Sequence, residues 1–117
     1  MLDAQAFAQS WEDGWNSHDL TTIMAHYRDD IVFRSRKAIA PTGQGELRGR
    51  AALRAYWAKA LAHQPDLRFS VQDVFEGYEM LVITYLNHRG VRAAETLYFD
   101  AEGLVFQAAA CHGSGTA

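Results

Sequence analysis

The segment Val91–Asp100 (VRAAETLYFD) alternates as a β-strand with one buried face does. Five alternate positions are apolar except for a carboxylate in their middle: Val91, Ala93, Glu95, Leu97 and Phe99. A slip of one residue would turn all five to the opposite face, so the pattern fixes which face is buried. We therefore predict that Glu95 points into an apolar interior. Because a buried carboxylate is costly unless it is hydrogen-bonded or protonated, Glu95 either has a structural partner or serves a ligand.

Similar strand patterns flank this segment on both sides. Turn signals at Gly77-Tyr78, Arg89-Gly90 and Ala101–Gly103 separate them, and connections this short predict an antiparallel meander. The four strands are predicted over residues 67–76, 80–88, 91–100 and 104–112. Phe69 and Phe75 of the first of these strands share its inward face with Asp73, and we predict a bulge that turns Asp73 outward.

Three helical patterns occupy most of the first half of the chain. The first begins at an Asp3 cap and carries an aromatic stripe, the second extends its apolar face to Tyr27, and the third has a stripe that includes Trp57. Between the last two we predict a strand at 31–36, a loop at 37–45 that could act as a lid, and a short edge strand at 46–48. Helices first and strands later predict an α+β fold, with the three helices on one face of a curved sheet.

Composition limits the classes of protein to which the chain could belong. With 117 residues, 49% of them apolar, it suits one globular domain, which we place at 1–113 with a frayed tail at 114–117. A net charge of −3 argues against a nucleic-acid or anionic-membrane partner. No apolar run reaches membrane-spanning length and no signal peptide is evident. The single Cys111 excludes an intrachain disulfide and fits a reducing, cytoplasmic location.

Four stretches, in this order and spacing, carry a resemblance to a known family: WNSHD at 15–19, YRDDIVF at 27–33, GRAAL at 49–53 and YFDAEG at 98–103. The chain resembles the nuclear transport factor 2-like superfamily, and within it the SnoaL-like polyketide cyclases and the ketosteroid isomerases. The resemblance implies a cone-shaped fold in which the curved antiparallel sheet and the helices enclose an apolar pocket. It specifies the fold rather than the reaction, because the superfamily hosts isomerases, cyclases, dehydratases, epoxide hydrolases and non-catalytic binders.

The resemblance also implies where site residues lie. In ketosteroid isomerases a Tyr on the first helix and a protonated acid on a late strand hold the developing oxyanion. The matching positions here are Trp11 and Glu95, while the position of the general-base Asp holds Ser35 and the closing strand position holds His112. Ser35 cannot act as a carboxylate base, and Trp11 offers only an indole N–H. The isomerase set is therefore incomplete, and an acid–base pair of Glu95 and His112 remains.

We thus predict Glu95 and His112 as catalytic residues. The alternatives are that Glu95 is bound to a neighbouring Arg, Tyr, Trp or His and only organises the pocket, and that His112 is a surface group near the chain end. The aromatic stripe is equally compatible with core packing. No metal site is expected, because no pair of histidines has ligand spacing on a common face. The predicted substrate-binding residues are Trp11, Trp15, Tyr27, Phe33, Ser35, Trp57, Leu97 and Phe106.

Three functional hypotheses follow. The first is a cofactor-free enzyme that acts on a small apolar molecule, either carbonyl-bearing or polycyclic. The second is a binding protein that uses the same pocket without turnover, and the third is an accessory protein that acts through the outer sheet face. The resemblance implies a homodimer formed through that outer face, which is low in charge. Its predicted members are Ala94, Thr96, Tyr98, Gln107, Ala109 and Cys111.

Overall fold

Six strands form one sheet in the computed structural model, which describes residues 2–113. Met1 and the predicted frayed tail at 114–117 lie outside the described residues. The strands are β1 (Tyr27–Ser35), β2 (Glu46–Arg48), β3 (Ser70–Gly77), β4 (Met80–Leu86), β5 (Arg92–Phe99) and β6 (Val105–His112). The helices are α1 (Ala4–Ser17), α2 (Leu20–Met24), α3 (Ile39–Thr42) and α4 (Arg50–His63), with a 3₁₀ turn at Arg36–Ala38.

The sheet order is β2-β1-β6-β5-β4-β3, so β3 to β6 form the predicted meander. The predicted α+β fold, a curved open sheet with helices in the N-terminal half, is confirmed. One pairing was not foreseen: β1 lies beside β6 and runs parallel to it, whereas every other neighbouring pair is antiparallel. A parallel pair needs a long crossover, which residues between β1 and β6 supply.

The helices cover one face of the sheet and bury the aromatic stripe of α1. Asp3 caps α1 as predicted, because its side chain accepts a hydrogen bond from the backbone N–H of Ala6 at 3.0 Å. Two side chains of α1 then bind the segment that enters β3. The Asn16 amide exchanges hydrogen bonds with the backbone of Phe69 at 2.9 and 2.8 Å, and Glu12 Oε2 accepts from the Val71 N–H at 2.7 Å. These bonds fix α1 and its tryptophans over the sheet.

Two predicted boundaries are wrong. Tyr27 does not end the second helix: α2 stops at Met24, and Tyr27 is the first residue of β1, paired with Val105 of β6. Tertiary pairing overrides the helical spacing of its side chain. The predicted loop at 37–45 contains the 3₁₀ turn and α3, since the Thr42 hydroxyl donates to the Ala38 carbonyl at 2.6 Å and Gly43 adopts φ 79°.

Bulges in two strands change which side chains face inward. In β3 the register passes from Val71 opposite Tyr85 to Asp73 opposite Thr84, which leaves Gln72 as the extra residue. This bulge turns Asp73 outward, as predicted, but it also leaves Phe75 59% exposed. In β6 the extra residue is Phe106. Val105 before it is opposite Phe99, and Gln107 after it is opposite Tyr98. Val105 is consequently buried, and Phe106 does not continue the inward-facing row.

None of the helices within residues 2–113 is long and apolar enough to cross a bilayer.

Candidate active site

Glu95 is buried at the middle of the sheet. It lies in β5 between Ile83 of β4 and Ala110 of β6, and only 4% of the residue is exposed. The inward orientation predicted from the alternation of β5 is therefore confirmed. The hydroxyl of Tyr85 donates a hydrogen bond to Glu95 Oε1 at 3.3 Å. Tyr85 belongs to β4 and is opposite Ala93 of β5, so its side chain reaches Glu95 diagonally across the strand pair.

Burial governs the protonation of this carboxyl group. Desolvation raises the pKa of Glu95 to about 8, and the hydrogen bond from Tyr85 only partly opposes this rise. The group is therefore mostly protonated at pH 7, and a protonated carboxyl group can donate a hydrogen bond to an oxygen atom.

Three tyrosines surround Glu95. Burial, followed by the negative charge of Glu95, raises the pKa of Tyr85 and of Tyr27 well above its ordinary value. Burial also raises the pKa of Tyr56, which Glu95 raises further and a hydrogen bond with Ser35 lowers. All three hydroxyls thus stay neutral at physiological pH, and no cation contributes to the causes of the Glu95 shift. The carboxyl group lies in a phenolic and apolar environment instead of an ion pair.

A cavity of about 90 Å³ adjoins Glu95 between the sheet, α1 and α4. The structure brings seven of the ten predicted site residues to its wall: Trp11, Trp15, Phe33, Ser35, Trp57, Glu95 and His112. Polar residues that were not predicted also line it: Lys37, Tyr56, Gln64, Tyr85 and Asn87.

The other three predicted site residues lie elsewhere. Tyr27 is 2% exposed and packs edge-on against Trp57, with ring centroids 5.2 Å apart. Leu97 is fully buried in the core between β4 and β6. Phe106 lies under the guanidinium of Arg28, whose Cζ is 5.1 Å from the ring centroid, because the bulge in β6 shifts it out of the inward row. None of these three lines the cavity.

Two indole groups at the cavity wall have unused hydrogen-bond donors. Trp11 and Trp15 both line the cavity, and within residues 2–113 the buried Nε1 of each has no hydrogen-bond partner. The buried hydroxyl of Tyr27 is likewise without a well-formed hydrogen bond, although the Trp11 side chain lies near enough to lower the pKa of Tyr27. Unpaired buried donors are unfavourable, and an acceptor oxygen from a ligand would satisfy them.

His112 lies at the edge of this cavity. It is opposite Ala93 at the end of β6, diagonal to Glu95, and it is half-buried. Burial, and secondly the charge of Lys37, lowers the pKa of His112 below its ordinary value. The imidazole is therefore neutral at pH 7 and can accept a proton. In the described part of the chain it forms no hydrogen bond with Glu95, so the two groups share the cavity without direct contact.

Ser35 ends β1 beside the cavity and is 5% exposed. Its Oγ accepts a hydrogen bond from the backbone N–H of Lys37 at 3.2 Å and thereby caps the 3₁₀ turn. The hydroxyl has a structural task here, and it supplies no carboxylate base.

The described residues hold no cluster of three or more His, Cys, Asp or Glu side chains arranged for a metal ion.

Residues 8–112 match the family model of the SnoaL-like domain. The chain belongs to the SnoaL-like family. A SnoaL-like protein of unknown function from Burkholderia thailandensis is 35% identical, with a TM-score of 0.90 and 95% of each chain covered. The family match confirms the predicted SnoaL-like branch of the nuclear transport factor 2-like superfamily.

More distant structures share the fold of this SnoaL-like protein. One is a nuclear transport factor 2-like protein of unknown function from Cytophaga hutchinsonii, 10% identical, with a TM-score of 0.74 and coverage of 97% and 92%. Another is SalBIII, an epoxide hydrolase/cyclase-like enzyme with a role in pyran ring formation in the polyether salinomycin; it is 13% identical, with a TM-score of 0.75 and coverage of 97% and 92%. No protein with curated annotation matches the chain.

Two of the polar cavity residues outside the predicted set, Tyr85 and Lys37, differ in the signal that the sequence offered. Tyr85 shares the inward face of β4 with Leu81 and Ile83, and a phenol diagonal to the buried acid was a usable signal. Lys37 was assigned to a loop, and no pattern indicated that a 3₁₀ turn would bring it to the cavity.

Proposed function

We propose that this SnoaL-like protein is a cofactor-independent enzyme that transfers a proton next to the carbonyl group of a small substrate. The observation that carries the proposal is Glu95, a buried carboxyl group with its pKa raised to about 8 at the wall of a cavity. A neutral acid can donate a hydrogen bond to a carbonyl oxygen and stabilise the oxyanion that forms there.

The indole donors support the same oxygen site. Trp11 and Trp15 line the cavity, and the buried Nε1 of each has no well-formed hydrogen bond within residues 2–113. Donors that are held in place before the reaction stabilise developing negative charge without reorganisation. A carbonyl oxygen beside Glu95 would thus meet an acidic donor and neutral donors.

His112 is the proposed base. It lines the same cavity, and its lowered pKa keeps it neutral at pH 7. The neutral imidazole would take a proton from the carbon beside the carbonyl and return it at another position, as isomerisation, ring closure by an enolate, or dehydration requires. This role replaces the carboxylate base that is absent at Ser35.

The volume of the cavity favours a compact substrate over a polycyclic one. The cavity measures only about 90 Å³. Pockets that enclose drug-sized ligands measure about 300–1,000 Å³. A carbonyl group with a few attached carbons fits this space in the conformation described.

A binding protein without turnover is the second candidate. The absence of a carboxylate at Ser35 and the use of its hydroxyl in capping the 3₁₀ turn favour this alternative. Binding with no proton transfer in any reaction tested would support it.

We also propose a homodimer through the outer sheet face. Aligned registers place Val82, Thr96 and Ala109 side by side across β4, β5 and β6, with exposed Phe75 next to Val82. A row without charge on an exposed sheet face is the kind of surface that a two-fold interface buries.

Hydrogen–deuterium exchange tests the catalytic proposal without knowledge of the natural substrate. We expect the protein to accelerate exchange of the protons beside the carbonyl of small ketones in D₂O, followed by NMR. Glu95→Gln and His112→Gln should each lower the rate at least about 100-fold, whereas exposed Glu102→Gln should not change it. Full exchange activity in Glu95→Gln would refute the proposal.

A further inference from the structure

We propose that the substrate carries a carboxylate, which Lys37 holds at the mouth of the cavity. The inference rests on the proposed function, because it assigns the substrate class of the same site: a small oxo acid whose carbonyl lies at Glu95. It is drawn from the surface groove that adjoins the cavity and from the charges that line this groove.

A surface groove of about 690 Å³ adjoins the cavity at the ends of β1 and β6. Four residues line both the cavity and the groove: Ser35, Lys37, Ala110 and His112. Two of them have ionisable side chains, the ammonium of Lys37 and the imidazole of His112. The Lys37 ammonium lies close enough to His112 to lower the pKa of the imidazole. Lys37 therefore lies where the cavity and the groove adjoin.

The groove is positively charged, although the whole chain has a net charge of −3. Arg34, Arg36 and Lys37 line it, and none of the described residues along its wall is acidic. Arg34 pairs with Glu46 at 3.8 Å, whereas Arg36 and Lys37 form no salt bridge within residues 2–113. Cations without partners beside a concave site raise the local concentration of anions.

The opposite end of the sheet has the reverse charge. A groove of about 810 Å³ there is lined by acidic residues and by no Lys or Arg of the described chain. Its acidic residues are Asp3, Glu76, Glu79, Asp100 and Glu102. The two grooves thus carry opposite charges, although Arg28 pairs with Asp100 of the acidic groove, and the groove that adjoins the Glu95 cavity is the positive one. This separation favours approach of an anion to the correct end of the sheet.

The protonation of Glu95 fits an anionic substrate. An ionised Glu95 would repel a second carboxylate, whereas the neutral acid does not. The apolar wall accepts the carbonyl and its alkyl neighbours, and the charged group stays at the hydrated mouth, where burial does not penalise it. The proposed substrate therefore has its carbonyl group at Glu95, inside the cavity, and its carboxylate a few bonds away, at Lys37.

Tryptophan fluorescence can measure this selectivity, because Trp11, Trp15 and Trp57 all line the cavity. The probes are 4-oxopentanoate and its neutral isostere 4-oxopentanamide, titrated at low ionic strength. The proteins are the parent, Lys37→Met, and Lys59→Met as a matched control, since Lys59 is exposed and lines none of the cavities described.

We expect the parent to bind the acid about tenfold more tightly than the amide, as one charge-assisted contact allows. In Lys37→Met this ratio should fall to about threefold or less, because the acid binds more weakly, and in Lys59→Met it should stay at the parental value. Equal binding of acid and amide by the parent, or an unchanged ratio in Lys37→Met, would overturn the inference. If proton exchange still depended on Glu95 in that case, the proposed function would survive without the inference. Binding of neither probe would overturn the inference, and absence of Glu95-dependent exchange would overturn the function with it.

Discussion

Tyr85 and Glu95 form a hydrogen-bonded pair, 3.3 Å between Oη and Oε1, from diagonal positions on β4 and β5. Both residues are at most 5% exposed. The pair holds the carboxyl group in one orientation while burial keeps it protonated at neutral pH. The carboxyl group thus has a structural partner and a protonation state suited to chemistry, and the two explanations that the sequence left open are compatible.

The protonation of Glu95 should make folding stability depend on pH. Its pKa is about 8 in the folded protein and 4.5 in the reference state, so between these values the folded state binds more protons. Stability therefore falls as pH rises through this window, with a slope that approaches about 1.4 kcal/mol per pH unit from this group alone. Urea unfolding of the parent and of Glu95→Gln at pH 5, 6, 7 and 8 should show the slope only in the parent. Parallel curves for the two proteins would contradict the raised pKa.

Removal of the Tyr85 hydroxyl should raise the pKa of Glu95 further, because the hydrogen bond it donates favours the charged form. In Tyr85→Phe, the alkaline limb of the pH–rate profile for proton exchange should move to higher pH, and stability should fall by about 1 kcal/mol. The acidic limb, set by protonation of His112 below its ordinary pKa, should stay in place. Tyr98→Phe is the matched control, since Tyr98 has no side-chain hydrogen bond within residues 2–113. Identical alkaline limbs in the parent and Tyr85→Phe would argue against Glu95 as the acid.

The proposed dimer should depend on the centre of the outer face. Thr96 lies between Val82 and Ala109 there, so Thr96→Arg places two like charges across a two-fold axis. We expect a dimer for the parent at micromolar concentration and a monomer for the variant by analytical ultracentrifugation. Glu102→Arg, in the exposed turn before β6, should remain dimeric. A monomeric parent would rule out this interface.

Leu97 should contribute to stability without contacting substrate. It is fully buried away from the cavity, so Leu97→Ala should destabilise the fold by about 2–5 kcal/mol. Among the molecules that remain folded, binding of 4-oxopentanoate should match the parent. Leu104 is only half-buried, so Leu104→Ala is the control and should lower the free energy of unfolding by less than Leu97→Ala does. A loss of affinity larger than the loss of folded protein would restore the original assignment of Leu97 to the site.

The accuracy of the sequence-based predictions followed the regularity of the strands. β5 pairs without a bulge over Arg92–Tyr98, so counting by two placed Glu95 correctly. An extra residue in β3 and another in β6 reverse the alternation of inward and outward side chains, so Phe75 and Phe106 were wrongly predicted to face inward. A single sequence does not reveal where such residues are inserted.

The helix and cavity predictions have a different limit. The aromatic stripe of α1 was predicted correctly because the spacing of its side chains and the Asp3 cap both indicate the same helix. Tyr27 was misplaced because its spacing fits α2, whereas pairing with Val105 fixes it in β1. The volume of the cavity results from the packing of Trp11, Trp15 and Trp57 against the sheet, and that packing depends on rotamers that no local pattern specifies.

The bulge at Gln72 also restricts how copies of the chain can associate. β3 is one margin of the sheet, and the bulge interrupts its free backbone beside the exposed charges of Asp73 and Glu76. At the other margin β2 has only three residues. Neither margin offers a long, flat row of amides on which a further strand could grow, so fibre-like extension is disfavoured. Stacking of faces, as in the proposed dimer, gives a pair that closes on itself and stops.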